Sequence, residues 1–151
     1  MKSEFLNISD IIFSLMYFFR SKKIYFEKIY FEKLNISKLV NNELRQSNNY
    51  NASVIGIKNY LFAKKLKYRN ISVSKVIDWN ENTTVDKGWN YGFRKFYPNT
   101  KTYGYQNYFV EKKFSSYDIT PFENKSKSCP EFLLLISESV KQARQEFTKK
   151  L

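Results

Sequence analysis

The segment Lys75–Thr100, KVIDWNENTTVDKGWNYGFRKFYPNT, crowds unlike polar groups among aromatic ones. It holds the carboxylates of Asp78, Glu81 and Asp86, the cations of Lys87 and Arg94, the amides of Asn82 and Asn90, and the indoles of Trp79 and Trp89. The chain has no histidine. That excludes a Ser-His-Asp triad, a Cys-His pair and a histidine-ligated zinc site. Acid–base chemistry must therefore come from Asp, Glu, Lys, Tyr or the single cysteine, Cys129. One cysteine also excludes an intrachain disulfide and fits a reducing, cytoplasmic setting.

Several of these residues have a structural role that competes with a functional one. Trp79 and Trp89 fit a packed core as well as a ligand face. Asp86 stands three residues after Thr83, the spacing of a helix capping box. Lys87, Asn90 and Arg94 fall on the helix face opposite Val85, Trp89, Phe93 and Phe96, where solvent is the default. Gly88, Gly92 and Gly104 are costly inside regular elements and suggest close approach of a backbone or a ligand.

The elements that must position these groups follow from periodicity and caps. The β-branched run Ile71–Asp78 reads as a strand. A helix follows from Thr83, and Pro98 ends it by pushing Tyr97 out of helical geometry. Lys101–Val110 is a second strand candidate, and Glu111–Cys129 a long, mostly irregular connection. Glu131–Ser137 is a third strand, with the continuous apolar run of a buried parallel strand. Ser137 then caps a helix from Glu138 to about Lys150. Upstream, helices are expected over Ser9–Lys33, Ile36–Gln46 and Ser53–Lys67, with a polar loop at Gln46–Ser53. The third of these is the most basic stretch of the chain.

This order predicts one α/β domain over 1–151: a mainly helical part, 1–70, then strand–helix units, 71–151, around a Rossmann-like parallel sheet flanked by helices. In open parallel sheets ligands bind beyond the carboxyl ends of the strands. That edge would receive Asp78, Trp79, Glu81 and Asn82 from the first strand, Tyr105, Gln106 and Asn107 from the second, and Ser137 and Glu138 from the third. Aromatic faces with amides and carboxylates suit sugars, because rings stack on the apolar sugar face and polar groups take the hydroxyls. A helix N-terminus suits phosphate.

With 151 residues the chain is long enough to bury a core, and 19% aromatic content supplies one. The net charge of +12, from 26 Lys and Arg against 14 Asp and Glu, favours anionic partners such as phosphorylated substrates, lipid head groups or nucleic acid. The abundance of Asn, Lys, Ile, Tyr and Phe also matches AT-rich codon usage. No nucleic-acid-binding motif is present and the basic residues are spread widely, so nucleic acid is the weaker partner expectation. Phe5–Phe19 is strongly apolar but interrupted by Asn7, Ser9, Asp10 and Ser14, too polar for a span of about 20 apolar residues. It reads as an amphipathic helix packed on the domain, with peripheral contact to an anionic membrane as the competing reading.

The motifs W-x-E-N at Trp79–Asn82, D-K-G-W-N-x-G-F-R at Asp86–Arg94, Y-P at Tyr97–Pro98 and G-Y-Q at Gly104–Gln106 recur in one order and spacing in a known family. The run Asp78–Val110, with CPEFLLLISESVKQAR at Cys129–Arg144, resembles bacterial surface-polysaccharide biosynthesis proteins, which look like glycosyltransferases of the two-Rossmann-domain, GT-B-like architecture. The family often continues W-x-E-N with Gln where this chain has Thr83. The resemblance implies a role in capsule, O-antigen or similar glycans, a nucleotide-sugar donor, and a glycan or lipid-linked acceptor at the cytoplasmic face of a membrane. It implies no resident cofactor and leaves the metal open. It places Glu81 as an acceptor-side catalytic base and Lys87 or Arg94 as an anion contact. Trp79, Asn82, Asp86, Asn90, Tyr105, Gln106 and Ser137 complete the expected substrate-binding set.

One domain of this length is half of such an architecture, and the four glycines form no G-x-G-x-x-G phosphate loop. The expectation is an acceptor-side half, a truncated or split product that is not catalytically complete alone and is partnered by a second Rossmann-like domain or chain. The competing function class is a non-enzymatic basic domain that binds nucleic acid or an anionic membrane.

Overall fold

The structure, a computed structural model, describes residues 4–46, 50–106 and 118–142. Helix α1 (Ile8–Leu15) begins at a capping box. The Asn7 side chain accepts from the Asp10 N–H at 3.0 Å, and the Asp10 carboxylate accepts from the Asn7 N–H at 3.0 Å. Helix α2 (Tyr17–Ser21) follows. The expectation of one helix from Ser9 to Lys33 is not met. Beyond α2 the chain turns into an antiparallel hairpin of β1 (Tyr30–Phe31) and β2 (Leu34–Asn35), with Glu32 at φ 52° in the turn.

The reason for the departure lies in helix α3 (Ser37–Arg45), whose side chains capture the preceding backbone. Asn41 accepts from the Phe26 N–H at 2.9 Å and donates to the Phe26 carbonyl at 2.8 Å. The Ser37 hydroxyl accepts from the Ile29 N–H at 2.8 Å. These bonds give extended backbone the partners a helix would have supplied internally.

Helix α4 (Tyr50–Tyr68) starts three residues earlier than its expected Ser53 cap, so part of the expected polar loop is helical. Strand β3 (Lys75–Trp79) is followed by α5 (Thr84–Phe96), β4 (Lys101–Gln106), α6 (Pro121–Lys125) and β5 (Phe132–Leu135), and helical residues resume at Glu138. The sheet order is β3-β4-β5, parallel throughout. Residues 71–74, expected as strand, instead serve α5's C-terminal end. The Ile71 carbonyl accepts from the Tyr97 hydroxyl at 2.9 Å, and the Val73 carbonyl from the Thr100 hydroxyl at 2.8 Å. The expected strand beyond Gln106, Asn107 at the sheet edge and the final helix past residue 142 lie outside the described residues. Within the connection expected to be irregular, α6 begins at a capping box of Thr120 and Glu123, with Pro121 at its first position.

Helices α4 and α5 pack face to face through small residues. Gly88 sits against the Gly56 backbone, and Gly92 against Tyr60 and Ala63. The core beside this crossing is Phe62, Ala63, Leu66, Val76, Phe93 and Tyr97, with Trp89 stacked on Phe62 at 5.9 Å. Trp89 is thus a packing residue. The architecture is mixed α/β with a three-stranded parallel sheet flanked by helices, compatible with a Rossmann-like half.

Candidate functional site at the carboxyl edge of the sheet

The register aligns the strand ends that carry the motif residues. Trp79 pairs with Tyr105 and Tyr105 with Leu134, while Gln106 pairs with Leu135. Side chains alternate across a sheet, so Trp79 and Tyr105 share one face while Asn80 and Gln106 share the other. On the first face the two rings meet edge to face, centroids 5.8 Å apart at 77°. Both are open to solvent, Trp79 at 50% and Tyr105 at 37% exposure, which leaves aromatic surface for a ligand. The Trp79 indole N–H donates to the Glu81 carboxylate at 3.0 Å. An aromatic corner and a hydrogen-bond-accepting carboxylate therefore stand together at the carboxyl edge, where open parallel sheets in general take ligands.

Asp86 holds that arrangement in place. Its Oδ2 accepts from the Glu81 N–H at 2.9 Å, the Thr83 N–H at 2.9 Å and the Thr83 hydroxyl at 3.1 Å. The same oxygen caps α5 and fixes the backbone that presents Glu81. Between them Asn82 takes φ 57°, a left-handed conformation that Asn tolerates better than most residues.

Lys87 lies behind this loop. Its ammonium donates to the Asn82 carbonyl at 3.1 Å and pairs with Glu123 at the start of α6. Glu123 also accepts from the Thr120 N–H at 2.8 Å and its hydroxyl at 2.9 Å. Asn82 reaches the same segment by donating to the Asp118 carbonyl at 3.1 Å. Burial raises the Glu123 pKa. The hydrogen bonds from Lys87 and Thr120, with the Lys87 charge, outweigh it and hold the carboxyl below its usual value. Lys87, Asn82 and Glu123 thus clamp α6 to the loop after β3.

On the other sheet face, beside the buried Val76, several buried groups are polar. Asn80, Asn90, Thr102 and Gln106 are each 1% exposed or less. The Asn80 N–H donates to the Tyr105 carbonyl at 3.0 Å, and its side chain lies over Gly104, where a Cβ would stand 2.8 Å from that of Asn80. Asn90 donates to the Asp86 carbonyl at 3.0 Å. Neither amide atom of Gln106 has a hydrogen-bond partner among the described residues. A buried unpartnered amide costs about 1–3 kcal/mol, so Gln106 is a costly choice for packing alone.

Arg94 lies further along α5 and donates to the Cys129 carbonyl at 3.0 Å. Burial pushes the Cys129 thiol up, with the Arg94 charge partly offsetting it. Ser137, just past β5, caps the helix it precedes, accepting from the Val140 N–H at 3.4 Å. The structure thus gathers Trp79, Glu81 and Tyr105 into one corner, with Asp86, Asn82 and Lys87 supporting it from behind. Gln106 and Asn90 are buried on the inner side, and Arg94 and Ser137 make their contacts elsewhere.

Sequence reasoning passed over Asn80 and Glu123. The T-P-F-E spelling at Thr120–Glu123 signals a helix start, but nothing local signals the pairing of Glu123 with Lys87. Among the described residues no cluster of three or more carboxylates or thiols could hold a metal ion. A separate, largely apolar cavity of about 570 Å³ lies between α1–α2 and the α4–α5 pair, with Phe13, Ile24, Tyr60 and Tyr91 in its walls and Lys87 at one side. It is distinct from the aromatic corner, which is an open surface. Comparison of the chain with protein-family models, curated proteins and solved structures gave no match.

Proposed function

We propose that this chain is the acceptor-side, Rossmann-like half of a GT-B-like glycosyltransferase of bacterial surface-polysaccharide biosynthesis. The reading rests on one observation. The W-x-E-N and G-Y-Q motifs, 27 residues apart from Trp79 to Gln106, end neighbouring parallel strands, and Trp79, Glu81 and Tyr105 form one solvent-facing corner there. The two rings offer apolar faces to a sugar, and Glu81 offers a carboxylate to its hydroxyls. In a complete enzyme Glu81 would take the acceptor proton as general base. Asp86 keeps it in position through the backbone, and Lys87 holds the loop from the side of α6.

The donor nucleotide would be held by a second Rossmann-like half, since this sequence contains no Gly-rich phosphate loop. Alone, the chain binds acceptor glycan and does not complete transfer. With a glycan or a lipid-linked glycan as acceptor, the protein works in the cytoplasm, peripheral to the inner face of the cell membrane.

The test is saturation-transfer NMR of the whole chain with a panel of neutral and acidic oligosaccharides. Binding is expected to transfer saturation to sugar ring protons and to vanish in Trp79→Ala and Tyr105→Ala. Absence of transfer from every sugar, or transfer unchanged in both variants, would overturn the reading. Tight, steeply salt-dependent binding to DNA or RNA in place of sugar would favour a basic nucleic-acid-binding domain.

A further inference from the structure

The N-terminal part of the chain is built with its polarity inverted. In α1 the two buried residues are polar, with Ile11 half-buried beside them: Ser14 is fully buried and Asp10 is 9% exposed. Ser14 donates to the Asp10 carbonyl at 2.8 Å, and Asp10 pairs with Lys65 of α4 at 3.1 Å. The apolar stripe at helical spacing, Ile8, Ile12 and Leu15, faces out, with Ile8 at 76% exposure. The same inversion recurs downstream. Ser21, Ser37 and Asn41 are buried, while Phe19, Ile24, Tyr25, Tyr30, Phe31 and Leu34 are exposed. At the hairpin, Phe31 and Leu34 are each 67% exposed and flank the turn that carries Lys33. A helix packed on its own domain in water has the opposite polarity, so the expectation of an α1 face packed inward is corrected for this stripe.

Charge indicates what covers this surface. Between residues 20 and 38 the chain has Arg20, Lys22, Lys23, Lys28, Lys33 and Lys38 against Glu27 and Glu32, six cations to two anions, or +4. Tyrosines, phenylalanines and lysines side by side are the composition of a membrane–water interface, where rings enter the head-group boundary and lysines reach anionic phosphates. No helix among the described residues is long and apolar enough to cross a membrane. We propose that residues 8–39 form an interfacial membrane-contact surface, with the outward stripe of α1 and the Phe31–Leu34 hairpin seated in an anionic lipid head-group layer. Asn41 and Ser37 fix the hairpin, so it enters as a formed wedge. The proposal rests on exposure and charge, and stands whether or not the sheet edge binds a glycan.

The test is co-sedimentation of the whole chain with phosphatidylcholine vesicles that contain either no anionic lipid or about 30% phosphatidylglycerol, in low and high salt. Phe31→Trp supplies a fluorophore at the hairpin tip. Partition onto the anionic vesicles is expected to exceed that onto neutral ones by about tenfold and to fall in high salt. The indole emission added by Phe31→Trp should shift to the blue on binding. Phe31→Ser with Leu34→Ser should cut partition about tenfold or more, since both residues are exposed and outside the core. Lys22→Glu with Lys28→Glu and Lys33→Glu, which leaves the apolar residues in place, should do the same. Circular dichroism checks that each variant keeps its fold. Absence of vesicle binding, or binding indifferent to both sets of substitutions, overturns the proposal. So does self-association without vesicle binding that Phe31→Ser and Leu34→Ser abolish, which would assign the surface to a second copy of the chain.

Discussion

Gly88 of α5 lies so close to Gly56 of α4 that a Cβ on Gly88 would stand 2.0 Å from the Gly56 carbonyl oxygen. No side chain other than hydrogen fits, and the obstacle is backbone. Alanine is the better helix former by about 1 kcal/mol, yet here the clash should dominate. Gly88→Ala is expected to lower stability by about 1–3 kcal/mol, read as the urea midpoint. Gly92→Ala, whose Cβ would meet Tyr60 Cα at 3.0 Å, should cost less. Equal midpoints for Gly88→Ala and the parent chain would contradict this packing.

The Trp79–Glu81 hydrogen bond separates orientation from stacking. Trp79→Phe keeps a ring against Tyr105 but loses the 3.0 Å donor to Glu81. Sugar binding should weaken several-fold in Trp79→Phe and disappear in Trp79→Ala, by about 1 kcal/mol and more than about 2 kcal/mol respectively. Titration with whichever oligosaccharide binds the parent chain reads both.

Gln106 offers a test of buried polarity apart from the binding corner, because its side chain lies on the sheet face opposite Trp79 and Tyr105. Both amide atoms are buried without a partner among the described residues. Gln106→Met, similar in volume and apolar, is expected to raise stability by about 1 kcal/mol. Sugar binding at Trp79 and Tyr105, on the opposite sheet face, should be unchanged in the same variant. A drop in stability would show that the Gln106 amide is satisfied in solution.

Glu123 makes stability depend on acid. Its folded pKa is depressed, so the unfolded chain binds the proton more readily. The stabilisation is fully present above the unfolded carboxylate value, near 4.5, and is lost as pH falls through the lower folded value. As pH falls below about 4.5, urea midpoints should drop more steeply in the parent chain than in Glu123→Gln. Lys87→Met removes the group that both hydrogen-bonds and attracts the carboxylate, and should shift the loss to higher pH.

Cys129 is 2% exposed and its thiol pKa is raised, first by burial. Thiolate is scarce at neutral pH and reagent access is poor. Labelling by a disulfide reagent should follow chain opening, becoming fast only as urea approaches the midpoint. Arg94→Ala, which removes the donor to the Cys129 carbonyl, should speed labelling by lowering stability about 1–2 kcal/mol while making the thiol itself less acidic.

Local signals in the sequence determined the central elements. The Thr83–Asp86 capping box is present, and Pro98 follows the helix end at Phe96 with Tyr97 as its cap. The apolar run at Glu131–Ser137 holds β5, although as an edge strand of the described sheet with Phe132 and Leu134 exposed and not the buried strand expected, and helical spacing placed Trp89 and Phe93 in the core. The absence of histidine and the count of one cysteine bounded the chemistry before any fold was known. These features depend on neighbours within a few residues, which a sequence displays directly.

Tertiary structure decided what depends on partners far along the chain. Asn41 and Ser37 hydrogen-bond the backbone of Phe26 and Ile29, so a segment of helical composition became a hairpin. Lys65 pairs with Asp10, so α1 turned Asp10 and Ser14 inward and Ile8 and Ile12 outward. Glu123 crosses 36 residues to reach Lys87. Strand register placed Trp79 beside Tyr105 and turned Gln106 to the opposite face, because successive side chains on a strand alternate. Periodicity shows which residues share a face; only packing decides which face is buried.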